Sequence, residues 1–127
     1  MTRPEDRTPD PEETVSLESA PIPAALRRSG KPFLLEQVQG PGAPRQFVLE
    51  LSEIVIGRSL QAHISVDSSL ISRRHVALRR SGPEYSCVDL GSKNGFYVNG
   101  VRAHSVVLQD GDTVQLGDII MIYREGG

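Results

Sequence analysis

At 127 residues, with 38% hydrophobic side chains and a formal net charge of −2, the chain has room for one modest domain and a tail. Its single cysteine, Cys87, excludes an internal disulfide framework, and no apolar run approaches the roughly 18 residues of a membrane span. Residues 1–30 hold four Arg against six Asp and Glu, whereas residues 31–127 hold ten of each sign, which gives no electrostatic case for broad nucleic-acid binding.

The first segment is set apart by composition. Residues 1–30 contain Pro4, Pro9, Pro11, Pro21 and Pro23, no aromatic residue and few large aliphatics. Such a stretch buries too little surface to offset its ordering entropy, so a disordered, acidic, Pro-rich tail is expected there. No apolar signal-peptide core follows the start Met1-Thr2-Arg3-Pro4, and the cytoplasm is the expected location. Thr14 follows Glu12 and Glu13. A solvated acidic linker explains these residues; the sharper reading makes Thr14 a site for an acid-directed kinase.

From Phe33 the texture changes to short β-rich runs. Residues 33–39 (FLLEQVQ) and 45–51 (RQFVLEL) flank a Gly-Pro-Gly-Ala-Pro loop and read as a hairpin, with Phe47, Leu49 and Leu51 on one face. Ile54-Val55-Ile56 ends at Gly57-Arg58, and His63–Val66 is a further short strand. Residues 75–80 (HVALRR) alternate, with Val76 and Leu78 inward, and residues 85–90 (YSCVDL) return across Ser81-Gly82-Pro83. Cys87 alternates with Tyr85, as a small buried apolar residue does. Strands are expected at 96–98, 101–102, 106–109, 113–116 and 119–123, with Asp110-Gly111-Asp112 and Gly117-Asp118 as compact hairpin turns. About ten or eleven strands at roughly 8–12-residue spacing, without a helical period, point to an all-β sandwich.

Function in such a scaffold sits on loops at one end. The polar clusters at 57–58, 72–75 and 91–95 all fall between strands. A phosphate monoester needs oriented donors and at least one cation to offset the loss of its water shell. Ser72 offers a hydroxyl in a turn, and Arg58 with Arg73 or Arg74 offers planar guanidinium forks that match phosphate oxygens. Asn94, donor and acceptor at once, can bond both the N–H and the C=O of a peptide. These residue types suit a phosphopeptide-binding surface.

Their order is also informative. Gly57-Arg58, Ser72-x-x-His75, Asp89-Leu90-Gly91-Ser92-x-Asn94-Gly95 and Val98-Asn99-Gly100 together resemble the forkhead-associated (FHA) domain family, as do the closing Leu108, Gly111-Asp112 and Leu116-Gly117. The likeness covers roughly residues 33–124 and implies an FHA-like domain over 31–125 with an eleven-stranded β-sandwich. It also implies binding of phosphothreonine peptides in a pocket that favours threonine's methyl over serine. By that resemblance Arg58 and Ser72 contact the phosphate, Arg73 supports it, Asn94 clamps the peptide backbone, and Ser92 and Lys93 line the same loop. His75 is architectural, its ring bonding loop backbone near Gly57; Gly57, Gly95, Asn99 and Gly100 belong to the scaffold. Phe96 stands where the family often has threonine, an inner packing position, and Lys93 adds a charge just before the asparagine. Leu70 suits an apolar peptide residue three positions after the phosphothreonine.

Other readings weigh less. Ser72 taken singly is a turn serine bonding its own backbone. A hydrolytic triad of Ser72, His75 and Asp89 lacks a nucleophile elbow and an oxyanion-hole motif, so no enzyme is expected. His63, His75 and His104 have no metal-ligand spacing among themselves or with Cys87, so neither metal nor cofactor is expected. The expected partners are phosphothreonine-containing proteins and a Ser/Thr protein kinase, with no nucleic acid and no membrane. The rival from another class is a phosphate-independent scaffold or oligomerisation domain.

Overall fold

Alternating apolar and polar side chains favour strands that bury one face each. The computed structural model describes residues 32–126, so the tail expected at 1–30, and Thr14 within it, lie outside the described residues. The described chain forms eleven strands: β1 (Phe33–Gln39), β2 (Arg45–Leu49), β3 (Glu53–Gly57), β4 (Ile64–Ser65), β5 (Val76–Ser81), β6 (Glu84–Asp89), β7 (Phe96–Val98), β8 (Val101–Ala103), β9 (Ser105–Val107), β10 (Thr113–Leu116) and β11 (Ile119–Arg124). No helix occurs among the described residues, and so none is long and apolar enough to cross a membrane.

The strands pack as two sheets, a six-stranded one in the order β2-β1-β11-β10-β7-β8 and a five-stranded one in the order β4-β3-β5-β6-β9. Between them lies one core that includes Leu35, Ile56, Leu78, Phe96, Leu116 and Met121. Tyr85 and Cys87 point into that core as their alternation requires, and burial pushes the Cys87 thiol far above its ordinary range. Phe96 is fully buried, an inner packing position.

Several turns follow from local chemistry. β1 and β2 pair antiparallel from Phe33↔Leu49 to Gln37↔Arg45, the hairpin expected there. Val98 faces Val101 across Asn99-Gly100, whose φ values of 52° and 83° are the two positive angles of a type I′ turn. Asn99 adds a tether. Its Nδ2 donates to Asp112 Oδ1 at 3.0 Å and its Oδ1 accepts from Thr113 N at 3.0 Å.

Two elements differ from expectation. The Asp110-Gly111-Asp112 segment does turn, with Asp112 N donating to Gln109 O at 2.9 Å and Gly111 at φ 89°. It closes no hairpin, because β9 pairs with β6 while β10 pairs with β7 and β11, so the turn carries the chain from one sheet to the other. The expected strand at His63–Val66 contracts to Ile64–Ser65, which runs parallel to β3. Turn residues set local dihedrals, not the sheet that the next strand joins.

Strand direction then sorts the loops. β3 and β6 end where β5 and β7 begin, so the connections 58–63, 66–75 and 90–95 emerge together at one end of the sandwich. The opposite end is closed by Phe33, Tyr85 and Tyr123, with ring centroids 5.9–6.4 Å apart.

Candidate functional site

At the loop end, β3 runs directly against the turn that precedes β5. A Cβ on Gly57 would overlap the Arg73 carbonyl, so only glycine permits the approach. Beyond it Arg58 N donates to Ser72 O at 2.9 Å and Ser59 N to Arg73 O at 3.1 Å, which splices the first two loops together. Arg58 Nε donates to Ile71 O at 3.1 Å. That single bond fixes the plane of the guanidinium and leaves its terminal nitrogens for a ligand. Arg58 and Arg73, with Ser59, Leu60 and Gln61, line a concavity of about 360 Å³. A larger groove of about 470 Å³ lies along β2 and His63 but has no Lys or Arg in its walls, so it lacks the permanent cation that a phosphate needs.

His75 holds the second and third loops. Its ring is fully buried; Nδ1 accepts from Ser72 N at 3.0 Å, and Nε2 lies 2.7 Å from Gly95 O. Because Nδ1 accepts an N–H, the ring proton belongs on Nε2 and donates to the Gly95 carbonyl. The ring was expected to bond loop backbone near Gly57 and hold the first two loops; it bonds Ser72 N, whose residue's carbonyl accepts from Arg58 N beside Gly57, and it reaches the third loop at Gly95 O as well. Both ring nitrogens are committed to main chain, leaving neither to take a proton from the Ser72 hydroxyl, so the geometry does not form a Ser–His dyad.

The third loop is built on Asp89. Its Oδ2 accepts from Gly91 N at 3.0 Å and Ser92 N at 3.1 Å, and its Oδ1 accepts the Ser92 hydroxyl. Ser92 Oγ in turn accepts from Gly95 N at 2.9 Å. Burial raises the Asp89 carboxyl, but the bonds from Ser92 and Gly91 outweigh it and hold the group below the usual carboxylate range. Ser92, expected to line the binding surface, thus spends its proton and one lone pair inside the loop. The role of Asp89 as organiser was missed in the sequence; the Asp-x-Gly-Ser spacing of an Asx turn is the signal that carries it.

The groups left facing outward are a coherent set. Ser72 Oγ accepts from Lys93 N at 3.0 Å, which leaves its own proton to donate. Asn94 Nδ2 donates to Leu70 O at 2.9 Å, so its Oδ1 remains as an acceptor. Leu70, 48% exposed, is braced from below: Ser68 Oγ accepts from Leu70 N at 3.2 Å and donates to Asp118 Oδ1 at 2.6 Å. Arg73, Arg74 and Lys93 are exposed and make no ion pair among the described residues. Asn99 and Gly100 sit at the far end of β7, away from this cluster.

The comparisons with known proteins agree with this fold. A family model described as the FHA domain matches residues 54–117. An oxoglutarate dehydrogenase inhibitor of Corynebacterium jeikeium is 39% identical over 93 residues, covering 73% of this chain and 65% of that protein. The glycogen accumulation regulator GarA of Mycolicibacterium smegmatis is 39% identical over 93 residues, covering 73% of this chain and 59% of that one. The chain therefore spans a little under two thirds of those relatives' lengths. Among solved structures, an FHA domain with phosphothreonine-dependent interactions superposes with a TM-score of 0.67 at 31% identity, over 74% of this chain and 96% of that one. The chain belongs to the FHA domain family.

Proposed function

From that membership and the loop-end geometry, we propose that the protein is a phosphothreonine-dependent peptide-binding adaptor in Ser/Thr-kinase signalling, acting in the cytoplasm through a domain spanning 31–125. The single observation that carries this reading is the company kept by Ser72: a hydroxyl with a free proton, on a turn that is spliced to Arg58 and followed by Arg73, neither of which has a carboxylate partner among the described residues. A phosphate dianion placed there accepts hydrogen bonds from the Ser72 hydroxyl and the terminal nitrogens of Arg58, with Arg73 on the other wall and Lys93 adding charge at the third loop. Asn94 then holds the peptide main chain, and Leu70 offers an apolar contact to a residue three positions after the phosphothreonine. The names of the two relatives, an enzyme inhibitor and an accumulation regulator, support a regulatory part rather than a catalytic one. The partners are phosphothreonine-containing proteins and the kinase that makes them.

Thr14 extends the reading to the chain itself. Phosphorylated, it sets Leu17 three positions downstream, matching the apolar contact at Leu70. Eighteen residues separate Thr14 from Phe33, and a chain of that length bridges about 25 Å on average, so docking onto its own pocket or that of a second copy is within reach. Calorimetry against phosphothreonine peptides and their unphosphorylated counterparts tests the main reading, and equal affinity for both overturns it. Phosphorylating Thr14 is expected to shift the amide resonances of Ser72 and Asn94; unchanged resonances refute the tail docking.

A further inference from the structure

Arg102 belongs to none of the motifs above. It lies on β8, the edge strand of the six-stranded sheet, exposed and directly opposite Tyr97. Its side chain runs diagonally back toward the loop end. A Cβ built on Gly95 would lie 2.8 Å from Arg102 Nη2, 2.9 Å from Nε and 3.0 Å from Cζ. Three guanidinium atoms at nearly one distance mean that the group lies flat across the glycine, in space that any other side chain would occupy. Gly95 is itself held: its φ is 72°, its N–H bonds Ser92 Oγ and its carbonyl takes the His75 ring. Shape rather than charge therefore positions this cation, for among the described residues its donors meet no carboxylate and no carbonyl.

That position has a consequence for a ligand. Gly95 adjoins Asn94, so Arg102 stands one Cα step, about 3.8 Å, beyond the residue that holds the peptide main chain. The turn that carries Ser72 and Arg73 meets the third loop at Lys93 N, one residue before Asn94, whereas Arg102 meets it at Gly95, one residue after. An extended peptide advances about 3.3 Å per residue, so side chains two or three residues from the phosphothreonine fall over the Arg102 guanidinium.

We propose that Arg102 is a specificity residue of the peptide site, a second anion subsite that reads an Asp or Glu side chain flanking the phosphothreonine by two or three residues. The inference rests on the phosphothreonine reading above. An exposed pair of this kind is worth a modest factor, about three-fold in affinity, because water screens it.

The test is a titration series on the full chain with one phosphothreonine peptide of neutral flanks and six variants, each carrying a single Glu at one of the three positions before or after the phosphothreonine. Wild type is expected to gain about three-fold from Glu at a position two or three residues away. Arg102→Gln is expected to lose that gain, so that Glu-bearing and neutral-flank peptides bind it alike, and Arg102→Lys to retain most of it. A Glu preference that is the same in Arg102→Gln, or no preference in wild type, overturns the assignment while leaving the phosphothreonine reading intact. If wild type binds none of the phosphopeptides, both fall together.

Discussion

The two ends of the sandwich treat their arginines in opposite ways. At the far end and on the sheet faces, cations are partnered by acids, a ring or a carbonyl, although Arg80 Nη1 is buried without a hydrogen bond. Arg79 pairs with Glu53 at 2.8 Å, Arg124 with Glu36 at 3.4 Å, and Arg80 lies 4.5 Å over the Phe33 ring while donating to Gly82 O at 2.7 Å. At the loop end, Arg73, Arg74, Lys93 and Arg102 have no acidic partner among the described residues, and Arg58 has only a carbonyl on one nitrogen. The one acid of the third loop, Asp89, is consumed by its own turn. In a domain whose charges otherwise balance, this asymmetry leaves a local positive potential where donors already converge.

Substitutions at each end turn that contrast into measurements. The largest effect is expected at His75, because His75→Ala strands two buried groups, Ser72 N and Gly95 O, and leaves a cavity. Each stranded group costs about 1–3 kcal/mol, so chemical denaturation should show a loss of about 3 kcal/mol together with weakened peptide binding. Arg58→Ala separates the two properties. It removes charge-assisted bonds worth about 1.5–3 kcal/mol from the complex, a ten-fold or greater loss of affinity by calorimetry, with the denaturation midpoint little changed. Tyr85→Phe is the mirror experiment at the far end. The Tyr85 hydroxyl donates to Leu51 O at 2.7 Å, so its removal is expected to cost about 1 kcal/mol of stability and nothing in peptide affinity.

The smallest effect is in the pH response. Asp89 is held below its ordinary range in the folded chain, so the unfolded chain takes up protons first on acidification. Its contribution is therefore complete above about pH 5 and is lost as pH falls through the lowered folded value. Denaturation profiles of Asp89→Asn should lack that part of the acid loss; an identical acid limb in the variant would contradict the assignment of Asp89 as loop organiser.

The sequence made the loop end largely legible because its residues are local. Alternation in 45–51, 75–80 and 85–90 gives the strands, and Asn99-Gly100 announces a type I′ turn through two residues that tolerate positive φ. What escaped depends on tertiary partners. The second bond of the His75 ring, to Gly95 O, follows from how the two sheets set the loops side by side. Asp110-Gly111-Asp112 has hairpin chemistry, yet its strands belong to different sheets. The placement of Arg102 over Gly95 needs the β7–β8 register and a missing Cβ, neither of which chain order displays.

The contrast between the two ends is tested most directly by amide chemical-shift mapping of the chain during titration with one phosphothreonine peptide. Saturable shifts are expected at Arg58, Ser72, Lys93 and Asn94, with Phe33, Arg80 and Tyr85 unmoved and no response to the unphosphorylated peptide. Shifts centred on the aromatic end, or equal shifts from both peptides, would contradict the account.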